Sequence, residues 1–340
     1  MGLKIAMLNP PFWDKFSKDS RSPAVSKGGC VYYPIWLGYA TALLHKHGFE
    51  VKLLDCPAEN MHLPECVQKI KEFQPKLIVL QTVTSSFYND VKVLNELKKE
   101  LPSDVFYLMV GTHVGAVPKE SLLAAPNCDA VARGEFDLIV KGVADALEKG
   151  EDWRTVDGLS FRRQTENGET EIVHNPAMPE LTGEQLDEFP FVSEIYKKYL
   201  TIENYFYPSV LFPEVTVISG RGCRYRCTFC KWPQTLTGHN YRARSPKNFV
   251  DELLWIEKNL PEVKDVMIED DTLTQDKERT IAICKEILAR GVKIPWTCNS
   301  RADVDAEVLH WMKKAGCRLM CVGFESADQQ ILNNIKKGTI

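Results

Sequence analysis

Three cysteines lie within eight residues, Cys223-Arg224-Tyr225-Arg226-Cys227-Thr228-Phe229-Cys230, at C-x3-C-x2-C spacing. Thiolates are soft ligands that suit iron–sulfur clusters, zinc or copper(I). Three ligands on one loop leave a coordination position open, where a reacting molecule can bind. A structural zinc site uses two pairs of ligands. Here the second pair is missing: His239 is the nearest histidine, and Cys317 and Cys321 fall on an expected strand. The spacing favours an iron–sulfur cluster, with zinc as the alternative.

The cysteines need a strand to deliver them. The β-branched run Val215-Thr216-Val217-Ile218 precedes them and reads as a buried strand. From there βα units alternate. Strands are expected at Val215–Ser219, Val266–Glu269, Ile294–Thr297 and Leu319–Gly323, and helices at Pro246–Asn259, Lys277–Arg290, Asp305–Ala315 and Gln329–Lys336. Ser245 and Pro246 open the first of these helices, and Gly291 and Gly316 close the next two. Polar residues collect at the strand ends, as in barrel enzymes. Four βα units do not close a barrel, and an open parallel edge is avoided in natural proteins. The expectation is a barrel cut after its fourth unit, the front of a longer protein, or an edge covered by something else.

Upstream, strands are expected at Lys4–Leu8, Glu50–Leu54, Lys76–Leu80, Val105–Val110 and Ala130–Ala132. Helices are expected at Ile35–His47 (with Pro34 in its first turn), Pro64–Phe73, Tyr88–Glu100, Pro118–Ala124 and Leu138–Lys149. The alternation implies a parallel sheet covered on both faces, with ligands outside the carboxyl ends of its strands. Asn9, Thr84, Ser85, Gly111, His113 and Glu135 gather at those ends. The absence of G-x-G-x-x-G after the first strand argues against a dinucleotide. Residues 151–212 read as a linker with a hairpin, Gly158–Arg163 and Thr170–His174, around Asn167-Gly168. The fold class is α/β: a Rossmann-like parallel-sheet domain over residues 1–150, the linker, and a partial (β/α) barrel over 213–340.

Composition excludes several classes. The 340 residues are 44% hydrophobic with a net charge of −4, which gives no electrostatic case for nucleic acid. No apolar run reaches the roughly 18 residues of a membrane span, and the N-terminus lacks a signal-peptide pattern. Gly2 does not mark myristoylation, because position 6 is Ala6. Eleven scattered cysteines fit a reducing cytoplasm better than a disulfide framework.

With its strand–loop–helix setting, the cysteine stretch resembles the C-x3-C-x-aromatic-C signature of the radical S-adenosylmethionine superfamily, Phe229 being the aromatic. The resemblance implies that Cys223, Cys227 and Cys230 bind three irons of a [4Fe–4S] cluster. The fourth iron would chelate the amino and carboxylate groups of S-adenosylmethionine. One electron, from a donor such as flavodoxin or ferredoxin, would then release a 5′-deoxyadenosyl radical that takes hydrogen from substrate. Glu269, Asp270 and Asp271 would hold the amino group; Asn299 and Arg301 would face the cofactor, Arg301 meeting its carboxylate; Glu325 and Ser326 would contact the ribose. On the residues alone, the acidic run could equally cap the helix after Thr272, and Arg301 could pair with Asp303 or Asp305.

The N-terminal half resembles the cobalamin-binding domain found upstream in such enzymes. Asn9-Pro10-Pro11, the Pro34–Gly48 helix, Gly111-Thr112-His113 and Arg133-Gly134-Glu135-Phe136 carry that resemblance. The Asp-x-His-x-x-Gly motif that ligates cobalt is absent, so cobalt without a histidine ligand is implied, above the Asn9–Phe12 loop, with Thr84 and Ser85 lining the nucleotide channel. A Rossmann-like domain with another ligand is the alternative. The stretch Lys231–His239 resembles the branch of magnesium-protoporphyrin ester cyclase-like and hopanoid-associated proteins. The combined expectation is a cytoplasmic cobalamin-dependent radical enzyme. It would act on a small molecule or a lipid or polysaccharide precursor, with methyl transfer to carbon. Oxidative cyclisation or rearrangement without methyl transfer, and a cobalamin sensor with structural zinc, stand as alternatives.

Overall fold

The computed structural model describes residues 2–339. Two compact units divide it: one runs through Glu180 and includes Glu194–Asn204, the other comprises Leu181–Ser193 and Tyr205 onward.

The first unit is built on a seven-stranded sheet: β1 Lys4–Asn9, β2 Glu50–Asp55, β3 Leu77–Gln81, β4 Phe106–Val110, β5 Ala130–Ala132, β6 Leu159–Gln164 and β7 Thr170–His174. Their order is β2-β1-β3-β4-β5-β6-β7. The first five are parallel, and β3, β4 and β5 are buried throughout, which is why their sequences are continuous apolar runs rather than alternating ones. Connecting them are α1 Ile35–Lys46, α2 Leu63–Phe73, α3 Phe87–Glu100, α4 Thr112–Ala116, α5 Pro118–Ala124 and α6 Asp137–Lys149. Ten successive residues of α1, Ile35–Leu44, are buried, whereas α2 buries only Cys66 and Ile70 among its described side chains. Pro34 stands at the N-cap of α1, one place before the first turn where the sequence put it. The order reverses between β1 and β3, and that switch point is where ligands enter doubly wound sheets.

The hairpin assigned to the linker belongs to this unit. β6 pairs antiparallel with β5, and β7 with β6, so the hairpin extends the sheet. Its pattern was readable, but its partner lies outside the segment and the pairing was not.

In the second unit, β8 Glu214–Val217 leads into the two-residue strand β9 Gly220–Arg221, which pairs antiparallel with β10 Arg242–Ala243. The remaining strands are β11 Asp265–Ile268, β12 Trp296–Arg301 and β13 Cys317–Gly323. The parallel sheet runs β8-β11-β12-β13. Helix α7 Gly183–Asp187 precedes β8, while α8 Val192–Tyr199 lies mostly in the Glu194–Asn204 segment of the first unit; α9 Pro246–Asn259, α10 Lys277–Arg290, α11 Ala306–Lys314 and α12 Gln329–Asn334 follow the strands. The bounds of α9 and α10 are those expected, since local signals set them: Ser245 Oγ accepts from Asn248 N at 3.2 Å, and Gly291 takes the left-handed conformation at φ +69°. β12 begins two residues later than expected and runs on to Arg301, so Asn299 and Arg301 lie within the strand.

Candidate active site

The cysteine loop leaves β8 through a rigid corner. The Asp270 carboxylate, 1% exposed, accepts from Ser219 N at 2.6 Å, Ser219 Oγ at 2.7 Å and Gly220 N at 3.1 Å. Arg279 closes the other side: its guanidinium donates to Ser219 O at 2.8 Å, Arg244 O at 3.0 Å and Tyr241 Oη at 2.9 Å. Burial pushes the Asp270 carboxyl up, and Arg279 with the Ser219 hydrogen bonds pulls it back. At the loop's root, Gly222 has φ +86°, and a Cβ there would lie 2.0 Å from Asn240 O. Only glycine allows that closure.

Cys223, Cys227 and Cys230 are all partly buried, and Phe229 is 55% exposed. Burial pushes the Cys223 thiol up; a metal ligand must be the thiolate, so loading displaces that proton. Among the described residues no three His, Cys, Asp or Glu side chains converge on a single ion. Three thiolates that each ligate a different iron need no such convergence. His239, the histidine weighed as a fourth zinc ligand, donates from Nδ1 to Cys223 O at 3.0 Å and shapes the loop instead.

The other strand ends divide into those brought together and those engaged elsewhere. Glu269, 1% exposed, accepts from Asn299 Nδ2 at 2.9 Å, so a carboxylate and an amide from adjacent strands form one polar pair. Asp270 is tied to the β8 corner as above, its carboxylate already taken by Ser219 and Gly220. Asp271 accepts from Thr237 Oγ1 at 2.9 Å. None of the three caps the following helix: Asp276 does, accepting from Arg279 N at 2.9 Å. Arg301, 4% exposed, donates to Asp303 at 3.1 and 3.3 Å and lies 3.5 Å over the Tyr225 ring of the cysteine loop. That is the Asp303 pairing the residues alone allowed, and the guanidinium braces the cysteine loop through Tyr225. Glu325 adopts a left-handed backbone, φ +62°, and accepts from buried Lys337 Nζ at 3.0 Å. Ser326 Oγ accepts from Asp328 N at 3.0 Å.

In the first unit, Asn9 at the end of β1 donates from Nδ2 to Asp55 at 2.6 Å, and Pro11 O, beyond buried Pro10, accepts from Asn89 Nδ2 at 2.7 Å. Asn9 Oδ1 and Gln81 Oε1 are buried at the switch point without a hydrogen-bond partner. Such acceptors suit a ligand that carries N–H donors, as the amide side chains of a corrinoid do. Gly111 has φ +108°, and a Cβ there would meet Thr82 O at 2.5 Å. Thr112 and His113 stand on α4, a helix too short for its periodicity to show in sequence. His113 Nδ1 lies 3.2 Å from Thr84 Oγ1, beside exposed Ser85, and its ring packs 4.2 Å from Phe87. Burial lowers the His113 pKa and favours its neutral form. Glu135 is partly buried.

Sequence reasoning also missed a buried ion pair. Lys18 Nζ donates to Asp90 at 2.8 Å and to Gln81 O at 3.0 Å, with both ion-pair side chains fully buried. It pins the loop after β1 across the sheet. A lone lysine in a polar loop carried no signal of this role.

A B12 binding domain family matches residues 21–144, and the Radical SAM superfamily matches residues 217–340. The chain is 31% identical over 306 residues to an uncharacterized methyltransferase of Pyrococcus horikoshii, covering 90% of this chain and 63% of the relative. It is 29% identical over 319 residues to the anaerobic magnesium-protoporphyrin IX monomethyl ester cyclase of Cereibacter sphaeroides, covering 90% and 49%. Among solved structures, the radical S-adenosylmethionine methyltransferase TsrM of Kitasatospora setae superposes with a TM-score of 0.74 at 19% identity, over 98% of this chain and 61% of that one. The chain thus spans between about half and two thirds of the proteins it matches. It thus matches the B12 binding domain family over its first half and the Radical SAM superfamily over its second, in that order.

Proposed function

We propose that this chain is the cofactor-binding part of a cobalamin-dependent radical S-adenosylmethionine enzyme that methylates an unactivated carbon. The observation that carries the reading is the cysteine loop: three partly buried thiols on a glycine-rooted loop leaving the first strand of a parallel β/α sheet. Cys223, Cys227 and Cys230 would hold a [4Fe–4S] cluster. Glu269 and Asn299 would meet the amino end of S-adenosylmethionine, with Glu325 and Ser326 on its ribose side. Asn9 and the Thr84–His113 pair would border cobalamin. When bound, these groups supply one-electron cleavage of a sulfonium and a transferable methyl group. The protein's own contribution is to orient them, shape the cysteine loop and exclude water.

Methyl transfer is favoured because the Pyrococcus relative and TsrM are both named methyltransferases. The cyclase relative supports the second reading, radical cyclisation without methyl transfer. An electron donor such as flavodoxin or ferredoxin, a small-molecule substrate and a cytoplasmic setting go with either reading; no described helix is long and apolar enough to cross a membrane.

Anaerobic reconstitution tests the proposal. About four irons and four sulfides per chain, with absorbance near ~400 nm, are expected; one zinc and no such absorbance would sink it. Cys227→Ala should lose iron and 5′-deoxyadenosine production together. Deoxyadenosine formed without any methylated product would move the assignment to the cyclase-like reading.

A further inference from the structure

Four hydrogen bonds fix the backbone around Cys223. Its N–H donates to Gly238 O at 3.3 Å, and its carbonyl accepts from His239 at 3.0 Å. The peptide groups on either side of it are both taken by one side chain. Gln275 Nε2 donates to Gly222 O at 2.9 Å, and Gln275 Oε1 accepts from Arg224 N at 3.2 Å. Such a grip needs a donor and an acceptor on one planar group; an amide has both, while a carboxylate only accepts and an ammonium only donates.

Gln275 is 7% exposed and ends a short 3-10 turn, Leu273–Gln275, after β11. The turn is itself held. Thr280 Oγ1 donates to Leu273 O at 3.1 Å, and Thr274 Oγ1 lies 2.8 Å from Ser300 Oγ on β12. A line of contacts therefore runs from β12 through the turn to the first cysteine. The bonds around the other two cysteines are more local: Cys230 N donates to Cys227 O at 3.2 Å, and Gln234 Nε2 to Cys230 O at 2.6 Å. Thr228 N reaches further, to Ile335 O at 3.0 Å.

We infer that Gln275 is a positioning residue for the cluster, fixing Cys223 through the peptide groups on both sides of it. It touches none of the reacting atoms and acts through Cys223. The inference rests on the assignment of Cys223, Cys227 and Cys230 as cluster ligands. It goes beyond that assignment by naming the residue that holds the first ligand before iron arrives.

Two substitutions probe the grip. Q275L removes both bonds at nearly constant volume. Q275E keeps the acceptor for Arg224 N, removes the donor to Gly222 O and adds negative charge behind the thiolates. The full chain, loaded anaerobically with iron and sulfide, is challenged with an iron chelator while iron release is followed. The midpoint potential of the cluster is read by titration monitored with electron paramagnetic resonance. Outer-shell partners of metal ligands are worth ~10–100-fold in retention, so iron release from Q275L is expected to be about tenfold faster or more. Q275E is expected to release iron at an intermediate rate and to have a lower midpoint potential, because added negative charge disfavours reduction. If Q275L does not fold, Q275E carries the test alone. Wild-type release from the variants overturns the inference, and so does an unchanged Q275E midpoint, since a purely structural role would leave the potential where it was. A wild-type chain that takes up no iron sinks the cluster assignment and this inference with it; a wild-type chain that loads normally beside indifferent variants sinks this inference alone.

Discussion

Glu214 shows what a single buried side chain does in the second unit's sheet. It begins β8, is fully buried, and lies beside Asp265 in the parallel register. Burial pushes its carboxyl from 4.5 up to about 8; Thr216 opposes the shift, and Asp265 and Glu269 add to it. Asp265 is itself held by Arg318 at 2.9 Å. Because the folded-state value lies above the unfolded one, the stabilising contribution is complete below pH 4.5 and is lost as pH rises through about 8. Each unit of such a shift corresponds to about 1.4 kcal/mol. Glu214→Gln should therefore gain melting temperature relative to the wild type as pH rises from about 6 to about 9. A difference that stays flat over that range would show that Glu214 titrates normally. Nothing in the sequence marked this residue. A glutamate at a strand's first position reads as a solvated end, and only the neighbouring strand makes it a buried carboxyl. For Arg301 the sequence left two partners open. The resemblance implied a cofactor carboxylate and the residues alone allowed Asp303; in the structure Asp303, two residues on, pairs with it, and Tyr225, in another loop and invisible to the sequence, lies under it.

At the scale of elements, the corner between β8 and β9 decides where the cysteine loop begins. Asp270 satisfies two backbone N–H groups and a hydroxyl there, and Arg279 satisfies the opposing carbonyls. Asp270→Ala would orphan buried donors and leave Arg279 facing an uncompensated pocket. A loss of ~3 kcal/mol or more in unfolding free energy is expected, with iron uptake falling because the loop loses its root. Stability within about 0.5 kcal/mol of wild type would contradict the assignment of Asp270 as a corner residue. The elements themselves were largely legible. Caps and glycines signal locally, so α9 and α10 appear at their expected bounds, and the cysteine spacing singled out the loop after β8 while leaving zinc as an alternative to iron–sulfur. The two-residue ladder of β9 with β10, the short helix α4 and the role of the β6–β7 hairpin were not legible. Each depends on partners distant in sequence or on runs too short to carry a period. The same reason hid Asp270's partners, 50 and 51 residues away.

For the whole molecule, the residues proposed for cobalamin and those proposed for the cluster fall in different compact units, so the two cofactors are expected to load independently. Gly111 belongs to the first unit. Its left-handed backbone and the 2.5 Å approach of a Cβ to Thr82 O mean that Gly111→Ala must displace the junction of β3 and β4, where Thr84 and His113 meet. Cys227 belongs to the second unit and has no part in that junction. Gly111→Ala should therefore lower corrinoid uptake, read from cobalt content and visible absorbance, while iron and sulfide per chain stay at the wild-type level. Cys227→Ala should do the reverse. In both variants methylated product should vanish, but for different reasons: the first keeps reductive cleavage of S-adenosylmethionine and continues to form 5′-deoxyadenosine, and the second forms none. The crossed pattern separates a two-cofactor enzyme from its rivals. A cobalamin sensor with structural zinc would show no deoxyadenosine in any variant. A cyclase-like enzyme that uses cobalamin only as an accessory would keep its product in Gly111→Ala. Parallel loss of cobalt and iron in both variants would instead mean that the units fold as one body, and the division of labour between them would fall.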